Sequence, residues 1–171
     1  MRTPRTNNSI PTSTPNGVRR VRGIRRIPML VTSMVAALAV VAPAAQAGSM
    51  HTTLAQRVKA ATIAQSKAGA WYRWGAAGPR QFDCSGLVVY SYRAARRPLA
   101  GRTTWDFWRL GVRIPRAKLM RGDLVYTWSR SMGHMGIYLG HNRYVHAPGA
   151  GRRVQVATLP SGGGYIGAVR P

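Results

Sequence analysis

From Leu124 onward the chain reads as short strands, and before that point as helices. This division limits what the 171 residues can fold into more than any other feature of the sequence. His51 to Ala70 carries Leu54, Val58, Ala61 and Ile63 at near-helical spacing, with Arg57, Lys59 and Gln65 turned away and Gly69 as a stop. A second helix is expected from Cys84 to about Ala95, ending before Pro98, and a short helix or turn from Arg102 to Gly111. A tight turn at Lys118 to Asp123 then leads into strands at Leu124–Trp128, His134–Leu139, Arg143–His146, Val154–Leu159 and Tyr165–Arg170. The order predicts an α+β domain, with N-terminal helices packed on an antiparallel β-sheet. Trp71 and Trp74, just ahead of the cysteine, read as core residues.

Residues 1–47 do not read as fold. A basic cluster (Arg19, Arg20, Arg22, Arg25, Arg26) precedes an apolar stretch from Ile27 to Val41. Small residues follow, ending at Ala45-Gln46-Ala47. That order is that of a secretory signal peptide with Ala47 as the last residue removed, so the protein is expected to be secreted, extracellular or cell-wall associated. The apolar run is short for a membrane span. The two Arg-Arg pairs leave a twin-arginine export route open beside the general one.

What remains, residues 48–171, is one domain, large enough to bury a core of its own. The chain has one cysteine, so no internal disulfide is available and an unpaired thiol is left over. Of the 26 Lys and Arg, seven precede residue 48. The other 19 stand against Asp83, Asp106 and Asp123, a formal charge of +16. Such a surface accumulates at polyanions. The charges are scattered and no nucleic-acid motif appears, so no specific nucleic acid is expected. For an exported chain the anionic polymers of a bacterial envelope are the more economical partner, and a monomer is expected.

Cys84 follows a turn rich in Gly and Pro and opens a helix, where unpaired N–H groups and the macrodipole lower the pKa of a thiol. Thiol catalysis also needs a base and a group to orient it, and His134 and His146 lie on neighbouring predicted strands. If Gly140-His141-Asn142 is a three-residue loop, Leu139 pairs with Arg143 and Gly136 with His146. The two imidazoles then become diagonal neighbours on one face. A two-residue loop sends them to opposite faces unless a bulge intervenes. Tyr72 stands out because its hydroxyl is able to donate toward a site at Cys84. A metal held by Cys84, His134 and His146 is conceivable, but no close-spaced ligand pair appears, so no metal is expected.

Four ordered segments, Phe82-Asp83-Cys84-Ser85-Gly86-Leu87-Val88, Arg121-Gly122-Asp123-Leu124-Val125, Gly133 to Gly140 and Val145-His146-Ala147-Pro148-Gly149, resemble the NlpC/P60 cell-wall cysteine peptidases. The resemblance covers about residues 55–171. It implies a papain-like fold and the cleavage of peptidoglycan stem peptides, commonly between D-glutamate and the diamino acid at the third position, with no cofactor. It further implies that Cys84 is the nucleophile, His134 the base and His146 the group orienting it. Tyr72 would assist at the oxyanion, and Asp83 and Ser85 would line the substrate groove. A related thiol amidase or acyltransferase, and a basic wall-binding protein without catalysis, are the alternatives.

Overall fold

The computed structural model describes residues 51–128, 131 and 133–171. The expected signal peptide, residues 1–47, lies outside the described residues. Helix α1 spans Leu54–Gln65, followed by the two-residue strands β1 (Trp71–Tyr72) and β2 (Gln81–Phe82), which pair in parallel. Helices α2 (Cys84–Ala94) and α3 (Thr104–Leu110) come next. Six strands then complete the fold: β3 (Val112–Arg113), β4 (Leu124–Thr127), β5 (Met135–Gly140), β6 (Arg143–His146), β7 (Gln155–Thr158) and β8 (Tyr165–Arg170). They form one sheet in the order β3-β8-β4-β5-β6-β7, antiparallel throughout. The expected α+β architecture is what the chain adopts.

Helix α1 starts at a reciprocal cap. The Thr53 hydroxyl accepts from Gln56 N–H, and the Gln56 side chain accepts from Thr53 N–H. Its buried face is Arg57, Ala60, Ala61 and Ala64, while Leu54 is 46 % exposed and Val58 faces outward with it. Of the stripe read from the sequence, Ala61 is buried and Ile63 packs against the core, but Leu54 and Val58 do not join them. The alanines allow α2 to approach closely, and Arg57 turns inward toward a buried acid. The helix also ends at Gln65, four residues before Gly69, which is reached through turns and takes a left-handed φ of 91°.

That acid is Asp123, fully buried before β4. It accepts from Met120 N–H at 2.8 Å, which closes the turn, and from Arg170 Nε and Nη2 at 2.9 and 2.8 Å, which clamps the last strand. Arg57 Nε lies 3.7 Å away. Gly122 makes this approach possible, because a Cβ there would sit 2.5 Å from the Arg57 carbonyl oxygen, and its φ is 96°.

Helices α1 and α2 cover one face of the sheet, over Leu124, Tyr126, Met135, Ile137 and Val145. The alternate residues Val125, Tyr144 and Ala168 pack with Leu159 on the other face. Trp71 and Trp74 are not core. Trp74 is 86 % exposed, and Trp71 carries the Arg153 guanidinium 3.7 Å from its ring.

Candidate active site

Cys84 is the first residue of α2, and Asp83 is its N-cap, accepting from Gly86 N–H. The thiol comes from the helix side and meets the backbone N–H of Met135, where β5 begins. His146 lies on the opposite sheet face, next to Tyr144 with ring centroids 4.6 Å apart. His134 Nε2 lies 2.8 Å from His146 Nδ1, so the two imidazoles are hydrogen bonded.

The hairpin achieves this differently from the three-residue loop expected. The turn has two residues, His141 and Asn142, both left-handed at φ 49° and 56°, and Gly140 rather than Leu139 pairs with Arg143. The register then slips between Tyr138 and Gly140, which restores the odd count, so Ile137 faces Val145 and Gly136 lies against His146. A Cβ on Gly136 would come within 2.5 Å of Val145 O and 2.9 Å of His146 Cβ. The two strands close over the histidine pair because that side chain is missing.

Burial dominates the electrostatics. It pushes the Cys84 thiol up and the Asp83 charge adds to that, while the N–H groups of Met135, Ser85 and Cys84 pull it partly back. The sequence-based expectation of a lowered thiol is therefore reversed: desolvation outweighs the helix terminus. Burial holds His134 down at about 4. It holds His146 down at about 3, with smaller contributions from His134 and Arg152. At neutral pH burial favours the neutral thiol and keeps both imidazoles neutral.

A cleft of about 340 Å³ opens beside Cys84, lined by Asp83, Ser85, Trp74, Arg102, Thr103, Thr104 and Gly133 among others. Asp83 and Ser85 both line this cleft. The Asp83 carboxylate is nonetheless committed: Arg102 Nη2 donates to it at 2.9 Å and Ser85 Oγ at 3.1 Å. What it presents to the cleft is a neutralised pair, which argues against its holding a substrate ammonium. Tyr72 is half-buried in β1, within electrostatic reach of both Cys84 and Asp83, and burial raises its phenol. Among the described residues its hydroxyl has no hydrogen-bond partner. No group of three or more His, Cys, Asp or Glu suited to a metal occurs among the described residues.

Three residues at the site were not read from the sequence. Arg102 ties Asp83, Ser85 and the Gly75 carbonyl together from a loop 17 residues beyond Ser85. Trp128 adopts a left-handed φ of 65° after β4 and stacks on His134, centroids 4.9 Å apart and planes 14° apart. Gln155, opposite His146 on β7, brings its amide nitrogen to 3.4 Å from His146 Nε2. Only the register of β6 with β7 reveals Gln155, and the intervening loop hides it.

The sequence pattern of the NlpC/P60 family matches residues 69–165. Murein DD-endopeptidase MepH of Escherichia coli (strain K12) is 35 % identical over 111 residues, covering 59 % of this chain and 41 % of that protein. The probable endopeptidase Cgl2188 of Corynebacterium glutamicum is 31 % identical over 138 residues, covering 77 % and 65 % respectively. The chain therefore spans less than two thirds of the length of these relatives. Among solved structures, the peptidoglycan hydrolase RipB of Mycobacterium tuberculosis superposes with a TM-score of 0.59 at 28 % identity, over 67 % of this chain and 64 % of that one. The P60 domain of antigen MAP1204 from M. avium subspecies paratuberculosis gives 0.59 at 27 % identity, over 67 % and 93 %. The fold, the four ordered segments and these matches lead to one conclusion: the chain belongs to the NlpC/P60 family.

Proposed function

We propose that the protein is a secreted cysteine peptidase that hydrolyses the stem peptides of peptidoglycan. The observation that carries the reading is the 2.8 Å bond between His134 and His146, with the cleft-lining Cys84 thiol bonded to the N–H of Met135, the residue after His134. Related proteins named as murein and peptidoglycan endopeptidases support the substrate class.

In this reading His134 Nδ1 takes the proton from Cys84 Sγ as the sulfur bonds to the substrate carbonyl carbon. The Cys84 N–H and the Tyr72 hydroxyl hold the oxygen that becomes negative. His134 then returns the proton to the leaving amine, the C–N bond breaks, and a thioester remains. Water, losing a proton to His134, attacks that thioester and frees the thiol. Without substrate, burial disfavours charge on both the thiol and the imidazole. Residues 1–47 direct export, and the basic surface holds the enzyme at anionic wall polymers; salt that fails to weaken binding to isolated walls refutes the latter.

The test is a digest of purified peptidoglycan with the protein and with Cys84→Ala, read by mass spectrometry. New fragments from the first alone support the peptidase, and none from either at several pH values removes it. The bond proposed lies between D-glutamate and the third-position diamino acid. A DD-endopeptidase cut, the activity in the name of MepH, releases fragments of different mass in the same digest.

A further inference from the structure

His146 is fully buried, and each of its ring nitrogens has one neighbour: His134 Nε2 at Nδ1 and the Gln155 amide at Nε2. A neutral imidazole carries one donor and one acceptor, so what Gln155 presents fixes every proton along the line. If the amide nitrogen donates to His146 Nε2, His146 carries its proton on Nδ1 and gives it to His134 Nε2. The proton of His134 is then on Nδ1, which leaves no lone pair there to accept one from Cys84. If the amide oxygen sits there instead, His146 Nε2–H donates to it and His146 Nδ1 accepts from His134 Nε2–H. His134 Nδ1 is then free to take a proton. The two arrangements differ by a half-turn of one amide whose ends are nearly equal in size.

We infer that Gln155 is a positioning residue whose amide selects the tautomer of both histidines, the oxygen-inward orientation being the one in which His134 acts as base. This goes beyond the proposed peptidase reading and rests on it for the identity of the base. No bond to substrate is involved: every proton that moves in the proposed catalysis passes through His134 Nδ1, not through His146 or Gln155. The neutral resting state of both rings makes tautomer choice consequential, since an imidazolium would carry protons on both nitrogens.

The experiment uses the protein labelled with ¹⁵N-histidine, whose four histidines are few enough to assign. Nitrogen shifts report the tautomers directly, without substrate. In the unsubstituted protein His134 and His146 are expected as Nε2–H. Gln155→Glu, which only accepts, should keep that tautomer, whereas Gln155→Met, with no hydrogen bond to offer, should mix the two. Alkylation of Cys84 by iodoacetamide at pH 7 and kcat should both fall in the methionine variant. The loss in kcat should be roughly ten- to a hundredfold at unchanged KM, within what a general base contributes. Glutamate should recover most of that loss. A methionine variant with unchanged tautomers, or with changed tautomers but unchanged alkylation, overturns the assignment. Tautomer control without peptidoglycan cleavage would leave the assignment standing and refute the peptidase reading instead.

Discussion

Acidification should destabilise this domain through its two coupled histidines. The folded state holds His134 at about 4 and His146 at about 3, against an ordinary value of 6.5. The unfolded chain therefore binds more protons below pH 6.5, and stability rises with pH. The contribution is complete above about 6.5 and is lost as pH falls toward the folded values. For His134 alone the shift is worth about 3 kcal/mol. Part of the His146 shift is repulsion from a protonated His134, so the two do not add fully, and the pair contributes on the order of 5 kcal/mol. With a urea m-value of about 1.5 kcal/mol/M for a domain of this size, loss of 3 kcal/mol moves the midpoint by about 2 M. Backbone N–H groups of Arg102 and Thr103 hold Asp106 at about 2, so its loss acts in the same direction but begins only as pH falls through its ordinary value of 3.8. Urea denaturation at half-unit steps from pH 7 to 4 tests this, with His146→Gln as the comparison. That variant should roughly halve the slope of stability against pH. A flat profile, or equal slopes in both proteins, would refute the argument that burial keeps the pair neutral.

Three further outcomes follow from particular contacts. Asp123→Ala leaves Arg57 and Arg170 without their buried acid and should cost about 3–5 kcal/mol by urea titration. Trp128→Ala uncovers one face of His134, so its pKa should rise from about 4 toward the ordinary value, followed by proton NMR titration; an unchanged value would deny that the indole desolvates the ring. Gly136→Ala forces a methyl against His146 and the Val145 carbonyl. It should lower turnover at least roughly tenfold while the circular dichroism of the sheet persists.

Where local signals act, the sequence predicted well. The Gly- and Pro-rich turn before Cys84 and Pro98 beyond it placed α2 within a residue of its end, and β8 matched its predicted span. The parity argument required a bulge or an odd loop, and the slip at Tyr138/Gly140 supplies it. What remained hidden depends on partners distant in the chain. Arg57 turned inward because Asp123 lies behind it, and a polar residue at that position reads as solvent-facing by periodicity alone. Trp74 read as core because large aromatics usually are, yet it borders a cleft. The lowered thiol failed because a helix start predicts dipole and amides, not how deeply the sulfur is covered.

The place of β8 between β3 and β4 bears on when the domain can form at all. Until Tyr165–Arg170 is free, β4 has an open edge and Asp123 lacks the Arg170 fork that neutralises it. A chain in which these residues are held back can assemble the helices and the β5–β6 hairpin, but cannot close the sheet. The sheet therefore closes, and the buried Asp123 gains its Arg170 partner, only once this strand has slotted between β3 and β4.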